Sequence, residues 1–163
     1  MRATHAEHDA AVPVGSWRSV GHSHQAFFVE SFIDECAFAA GRDPLAFRLA
    51  MLGDHPRAAA VLRLAAERAG WRADGAAQDG VAQGIALHWS FGSLVAQVAE
   101  VERDGPTGFR VRRIVCAIDC GLPVHPAGIR QQVEGAIIMG LTAALHGDVP
   151  IAGGAVTPAN FDG

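Results

Sequence analysis

The sequence predicts an α+β fold in which helices pack on a mostly antiparallel sheet. Apolar residues recur at a spacing near four over residues 23–70, as in helices, and near two over residues 81–119, as in strands. A long segment at residues 126–146 returns to helical spacing. The predicted order is three helices, three strands and one long helix.

The first helix is predicted in "SHQAFFVESFIDECAFAAG". Phe28, Phe32 and Cys36 are four residues apart there, which places them on one stripe of a helix. Gly41 follows the stripe, and glycine commonly ends a helix because it adopts the left-handed conformation without strain. We therefore expect a helix of about 17 residues that starts near Ser23.

Two shorter helices should follow. Asp43 and Pro44 form the N-cap and first-turn pair that begins a helix, and "LAFRLAML" supplies one apolar stripe before Gly53. Pro56 opens the third helix, "RAAAVLRLAAERAG", which Gly70 ends. Residues 23–70 therefore form a helical half.

Three strands are predicted after a polar stretch. "GIALHWSFGS" alternates Ile85, Leu87, Trp89 and Phe91 on one face. "LVAQVAEVER" and "FRVRRIVCAID" are separated by the turn sequence "DGPTG", so these two strands should form a hairpin.

The C-terminal part should contain one long helix, residues 126–146, and a hairpin around Gly153 and Gly154. Residues 1–15 are polar, rich in alanine and without a pattern, and we interpret them as a flexible tail. Residues 16–163 remain as the folded part.

Composition excludes several functions. The 163 residues carry a formal net charge of −4, so no basic surface for nucleic acid is expected. Three cysteines do not make a disulfide framework, and Cys36 and Cys116 are interpreted as inert packing residues. Without a signal-peptide core or a long apolar run, this chain is expected in the cytoplasm.

The loop "WRSVGHSH" precedes the first helix and is a candidate site. Unpaired backbone amides at a helix N-terminus favour an anion, and Arg18 adds positive charge. Two alternatives stay open. Ser23 could simply cap the helix while Arg18 forms a surface ion pair, or His22 and His24 could bind zinc with a cysteine, although further ligands at a recognisable spacing are missing.

The stretch "IRQQVEGAIIMG" is a second candidate. On a helix, Gln132 lies on a stripe of small residues beside Gly135. Gly135 and Gly140 each cost about 1 kcal/mol relative to alanine, which is tolerated where a backbone or a ligand comes close. The alternatives are a ligand groove, or close helix packing with Gln132 bound to backbone.

The chain closely resembles the molybdopterin-binding large subunit of the xanthine dehydrogenase and aldehyde oxidase family, of the isoquinoline 1-oxidoreductase beta subunit type. The resemblance covers residues 12–161 and is carried by two motifs. One is the "WRSVG" loop. The other is the pattern D-x-G-x-x-x-x-P…Q-x-E-G, here Asp119, Gly121, Pro126, Gln132, Glu134 and Gly135.

The resemblance implies site residues. The glutamine of the second motif hydrogen-bonds the pterin cofactor in the family, which makes Gln132 a cofactor-binding residue here. The loop near the molybdenum site implies cofactor-binding roles for Arg18, Ser19, Val20 and Gly21. No catalytic and no metal-ligating residue is assigned, and Glu134 is left without a catalytic role.

The resemblance also implies an activity, which is the oxidative hydroxylation of aldehydes or N-heterocycles with molybdopterin. Electrons leave such enzymes through an iron–sulfur subunit. The family's large subunit is several times longer, and its general-base glutamate is expected beyond residue 163. We therefore expect residues 16–163 to be a partial molybdopterin-binding domain that works with the remaining segments of the large subunit.

Alone, such a piece should be inactive, can lack the cofactor, and should self-associate through exposed apolar surface. The alternative is a catalytically inactive remnant that acts as a binding or interaction module. A full-length parent could be periplasmic or membrane-associated.

Overall fold

The computed structural model describes residues 4, 6, 15–75, 78–106 and 108–158. These residues form two compact units. The sheet unit is Ser19–Val124, and the long-helix unit combines Met1–Arg18 with His125–Gly163. The predicted flexible tail, residues 1–15, lies almost wholly outside the described residues, and that boundary stays a prediction.

The sheet unit contains three helices, a short 3₁₀ turn and three strands. The helices are α1, His22–Ala39, α2, Pro44–Met51, and α3, Pro56–Ala69, and the turn is Ala73–Gly75. The strands are β1, Val81–Ser90, β2, Ser93–Asp104, and β3, Gly108–Asp119. They form one antiparallel sheet in the order β1-β2-β3, with a register shift between Glu100 and Val101. The α+β prediction is confirmed.

The long-helix unit contains α4, Pro126–His146, and a small hairpin of β4, Ile151–Ala152, and β5, Ala155–Val156. Both elements confirm the prediction. His125 is the N-cap of α4, and its Nδ1 accepts a hydrogen bond of 2.8 Å from the backbone N–H of Gly128. Among the described residues, no helix is both long and apolar enough to cross a membrane.

Most predicted helix ends are confirmed. The Asp43 side chain accepts a 2.7 Å hydrogen bond from the N–H of Ala46, and Gly41 and Gly70 have left-handed φ values of 61° and 66°. The interpretation of Ser23 as the cap of the first helix is wrong. The helix begins at His22, and Ser23 lies inside its first turn.

The core lies between α3 and the sheet. Seven of the 14 residues of α3 are buried, and five of the seven are alanines, whose small side chains let the helix approach the strands closely. Leu62 of α3 and Val98 of β2 are fully buried. Burying a leucine or valine side chain contributes roughly 1.5–3 kcal/mol, so the packing of α3 on the sheet stabilises the sheet unit.

Helix α1 packs differently from what its sequence suggests. Only Ala37 is buried in α1, whereas Phe27, Phe28, Phe32 and Phe38 are exposed. The four-residue spacing correctly identified a helix, but the Phe28–Phe32 stripe does not face the core. These four exposed residues, of which Phe27 and Phe28 have ring centroids 5.8 Å apart, are together called here the phenylalanine patch.

Fewer residues of β1 contact the core than the alternating pattern predicted. Ile85 is buried and Leu87 packs on the core, but Trp89 is exposed. Phe91 lies in the turn after β1, with a positive φ of 48°, so it does not belong to that strand face.

Candidate functional site

Arg18 and Gln132, two of the predicted cofactor-binding residues, are in contact. Arg18 Nη2 donates to Gln132 Oε1 at 3.1 Å, and Arg18 Nη1 lies 4.0 Å from Met139 Sδ. Gln132 and Met139 are two helical turns apart on one face of α4. The guanidinium of Arg18 therefore lies along that face and contacts it at both turns.

This contact fixes what the Gln132 amide can do. Because the oxygen accepts from a cation, the Nε2 group is left as a donor of hydrogen bonds. Within the part of the chain that the structure describes, Nε2 has no acceptor, and the Arg18–Gln132 contact is solvent-exposed. The alternative in which Gln132 binds backbone is not observed.

Two of the three glycines of α4, Gly135 and Gly140, lie beside open space. A Cβ built on Gly135 or on Gly140 meets no described atom within 4 Å. By contrast, a Cβ at Gly128 would collide with the ring of His125. Close packing therefore does not explain Gly135 and Gly140 in the described chain, and the face that carries Gln132 has room for a bound group.

The other predicted loop residues belong to the sheet unit. Ser19 and Val20 have positive φ values of 66° and 52°, which are rare for residues other than glycine and costly for a β-branched one. Each such residue costs about 1–3 kcal/mol, and strain of this kind is concentrated at binding sites. Gly21 is the N-cap of α1, and Ser19 Oγ lies 2.5 Å from Ser23 Oγ.

A histidine pair next to this loop was not found from the sequence. His22 Nδ1 and His88 Nε2 are 3.1 Å apart, and the ring of Phe91 packs edge-on against His22 at 5.0 Å. Burial, followed by the nearby His22, lowers the pKa of His88. The two residues are 66 positions apart, so no local motif could reveal the pair.

The zinc alternative gains no support. Across the described residues, no three histidine, cysteine, aspartate or glutamate side chains are gathered in a way that could hold a metal ion. The cysteines are free, and burial raises the pKa of the Cys116 thiol, so it is protonated and unreactive.

Asp119, at the end of β3, has a structural explanation. Arg57 donates to both carboxylate oxygens at 2.8 Å, and the N–H of Gly121 donates to Oδ1 at 3.0 Å. These donors, Arg57 first, lower the pKa of Asp119 to about 2. Asp119 thus joins α3 to the end of the sheet and sets the turn at Gly121.

Comparison with known proteins identifies the family. A model of the molybdopterin cofactor-binding domain matches residues 45–163. The chain is 37% identical over 153 residues to the beta subunit of isoquinoline 1-oxidoreductase from Brevundimonas diminuta, covering 93% of this chain and 20% of that protein. It is 36% identical over 151 residues to the B subunit of nicotinate dehydrogenase from Pseudomonas putida, covering 82% of this chain and 13% of that protein.

A third relative is the membrane-bound aldehyde dehydrogenase [pyrroloquinoline-quinone] of Gluconacetobacter polyoxogenes. It is 30% identical over 166 residues, covering 91% of this chain and 22% of that protein. No solved structure matches the chain. The chain thus spans about a fifth or less of the length of these relatives, which are oxidoreductases by name. The resemblance is confirmed: the chain belongs to the molybdopterin cofactor-binding domain family.

Proposed function

We propose that the chain holds part of the molybdopterin cofactor in the large subunit of a molybdenum hydroxylase. The observation that carries the proposal is the Arg18–Gln132 contact on the open face of α4. Family membership supplies the cofactor, and the chain's own geometry supplies a donor, a positive charge and space beside Gly135.

The residues present fit such a group. Pterin rings carry nitrogen and oxygen acceptors, and the cofactor carries phosphate, so an amide N–H next to a guanidinium is a suitable donor set. In the proposed role, Gln132 Nε2 donates to the cofactor. Arg18 holds the amide in that orientation and adds a positive charge that an anionic group favours.

The loop of Ser19, Val20 and Gly21 is proposed as a second cofactor contact. It directly precedes the N-terminus of α1, and two of its residues hold a strained backbone conformation of the kind that is concentrated at binding sites. We do not assign a catalytic residue in this chain. Glu134 is an exposed residue of α4 and has no role in the proposal.

When bound, the cofactor supplies the redox chemistry, while the protein binds it and orients it. The proposed substrates are aldehydes or N-heterocycles. Relatives support this class, because isoquinoline and nicotinate are N-heterocycles and a third relative is named for aldehydes. Two of the relatives are named as the beta and the B subunits of their enzymes, which supports partner subunits, and among these we propose an iron–sulfur subunit.

The test is the cofactor content of the large subunit assembled with its partners. We expect Gln132→Ala to weaken retention of molybdopterin by a factor of a few up to about ten, because the loss of one hydrogen bond costs roughly 0.5–1.5 kcal/mol. The measurements are molybdenum content and the fluorescence of the oxidised pterin. Gln131→Ala is the matched control, since Gln131 is the exposed neighbour on α4.

If Gln132→Ala retains as much cofactor as Gln131→Ala, the proposed role of Gln132 is wrong. A variant that changes only the melting temperature would instead favour the alternative function, a catalytically inactive remnant that acts as an interaction module. The phenylalanine patch favours that alternative, because exposed apolar surface of this kind marks interaction sites. Sedimentation of the isolated chain would show whether the patch causes self-association.

A further inference from the structure

The sheet unit contains an open cavity that the proposed cofactor site does not use. It has a volume of about 230 Å³ and lies among α1, α2, α3 and the strands β1 and β2. Most of the side chains that line it are apolar, and the polar ones are the carboxylate of Glu30, the guanidinium of Arg48, which is bound to that carboxylate, and the ring of His55. The lining residues include Glu30, Met51, His55, Leu87 and Trp89.

The volume of the cavity and its aromatic lining favour a small planar ring. A cavity of about 150 Å³ in another protein holds benzene, so this cavity has room for a ring and a small substituent. Trp89 and His55 both line the cavity, and their ring centroids are 6.2 Å apart with an interplanar angle of 77°. Trp89 is 56% exposed, which leaves much of its ring available for stacking or for a cation.

The carboxylate of Glu30 provides a hydrogen-bond acceptor in the wall of the cavity. Glu30 is 12% exposed, and its Oε2 accepts from Arg48 Nε at 2.9 Å and from the N–H of Leu87 at 2.8 Å. Oε1 has no donor among the described residues. It is not sealed from solvent, because no buried side-chain oxygen described here lacks a partner.

The local charge is negative. The buried guanidinium of Arg48 serves both Glu30 and Asp34, at 2.9 Å and 2.6 Å. Two carboxylates therefore share one cation, and one negative charge remains uncompensated within this cluster. A ligand that brings an N–H donor and a positive charge would complement Oε1 while its ring contacts the apolar walls.

We propose that this cavity binds a small aromatic cation, a single planar ring that carries an amidinium or a similar N–H group. The site is independent of the cofactor proposal, because it uses none of the residues in the Arg18–Gln132 contact. Its ligand chemistry follows from the apolar walls, the Trp89 ring and the open oxygen of Glu30.

The test is a titration of the 163-residue chain with benzamidine, followed by NMR through the indole N–H signal of Trp89. Trp89→Phe assigns that signal. We expect saturable shifts with a dissociation constant in the millimolar range. Benzoate has nearly the same shape and the opposite charge, and we expect it to bind at least tenfold more weakly.

A cavity-filling variant locates the site. Met51 is an exposed residue of α2 that lines the cavity, so Met51→Trp should fill it without disturbing the core and should weaken benzamidine binding at least tenfold. Leu64→Trp is the matched control, since Leu64 is a partly exposed helical residue that does not line the cavity.

Three results would overturn the proposal. The first is the absence of saturable shifts up to roughly 10 mM benzamidine. The second is equal binding of benzoate and benzamidine, which would show that Glu30 does not select charge. The third is unchanged benzamidine binding by Met51→Trp, in a variant whose NMR spectrum shows that it is folded.

Discussion

Helices α3 and α4 both carry many apolar residues, but only α3 buries them. Seven of the 14 residues of α3 are buried against the sheet, whereas every one of the 21 residues of α4 is described and none is buried. Half-exposed apolar residues still follow a helical stripe on α4. They are Ile129, Val133, Ile137 and Leu141.

The buried residues of α3 stabilise the fold, whereas the apolar residues of α4 are not buried by the described chain. A buried face stabilises the protein whether or not a ligand is present, while an exposed apolar and amide-bearing face is available for interaction. The chain spans only about a fifth or less of its relatives' lengths, which agrees with a face of α4 that the described residues leave open.

The largest expected effect tests this contrast directly. Leu62→Ala should reduce the free energy of unfolding by about 2–5 kcal/mol, because it leaves a cavity in the fully buried layer between α3 and the sheet. Ile138→Ala on α4 should change it by about 0.5 kcal/mol or less, since Ile138 is exposed. Urea unfolding measures both, and equal losses would contradict the comparison.

A smaller effect of opposite sign is expected on α4 itself. Gly135→Ala should stabilise the isolated chain by about 1 kcal/mol, because the new methyl group meets open space and alanine favours the helix. Gly128→Ala is the control. It should destabilise the chain, because its methyl group collides with the His125 ring that caps the helix. Loss of stability in Gly135→Ala would show that another group occupies that space.

The histidine pair predicts a pH effect on the sheet unit alone. The pKa of His88 is lowered in the folded chain, so the unfolded chain binds the proton more readily. Stability should therefore fall as the pH drops below the unfolded pKa of about 6.5. Glu30, which favours the charged form, and His22, which opposes it, are the nearby titratable groups. In His88→Gln, melting temperatures measured against pH should decline less over that range.

The smallest effect concerns an exposed ion pair. The folded pKa of Asp119 is about 2, below its ordinary value of 3.8, so the stability that it contributes is present above pH 3.8 and lost as the pH falls towards 2. Arg57→Gln should reduce this acid dependence only slightly, because the Arg57 side chain is largely in water. Acid unfolding of the variant and of the unchanged chain provides the comparison, and identical curves would contradict a role for the pair.

The sequence predicted where helices and strands lie better than it predicted which of their faces are buried. Gly41, Asp43 and Gly70 mark helix ends through local backbone chemistry, which a sequence displays directly. The exposure of Phe28 and Phe32 could not be predicted, because periodicity shows that a stripe exists and not what covers it.

For the candidate site as well, the sequence predicted one residue but not the contacts that it makes. Gln132 was singled out by its place among small residues, and the resemblance supplied its proposed partner group. Its contact with Arg18 spans 114 positions and the His22–His88 pair spans 66, so both depend on tertiary structure that no local pattern encodes.

The order of the strands in the sheet, which follows their order in the sequence, affects folding during synthesis on the ribosome. Strands β1, β2 and β3 are neighbours both in the sequence and in the sheet, and α3, their packing partner, precedes them. A hairpin closes in about 1–10 μs, while a ribosome adds about 5–20 residues per second. Each strand can therefore pair as soon as it leaves the ribosome, and α3 has already emerged by then. The apolar face of the growing sheet is thus exposed to solvent only briefly.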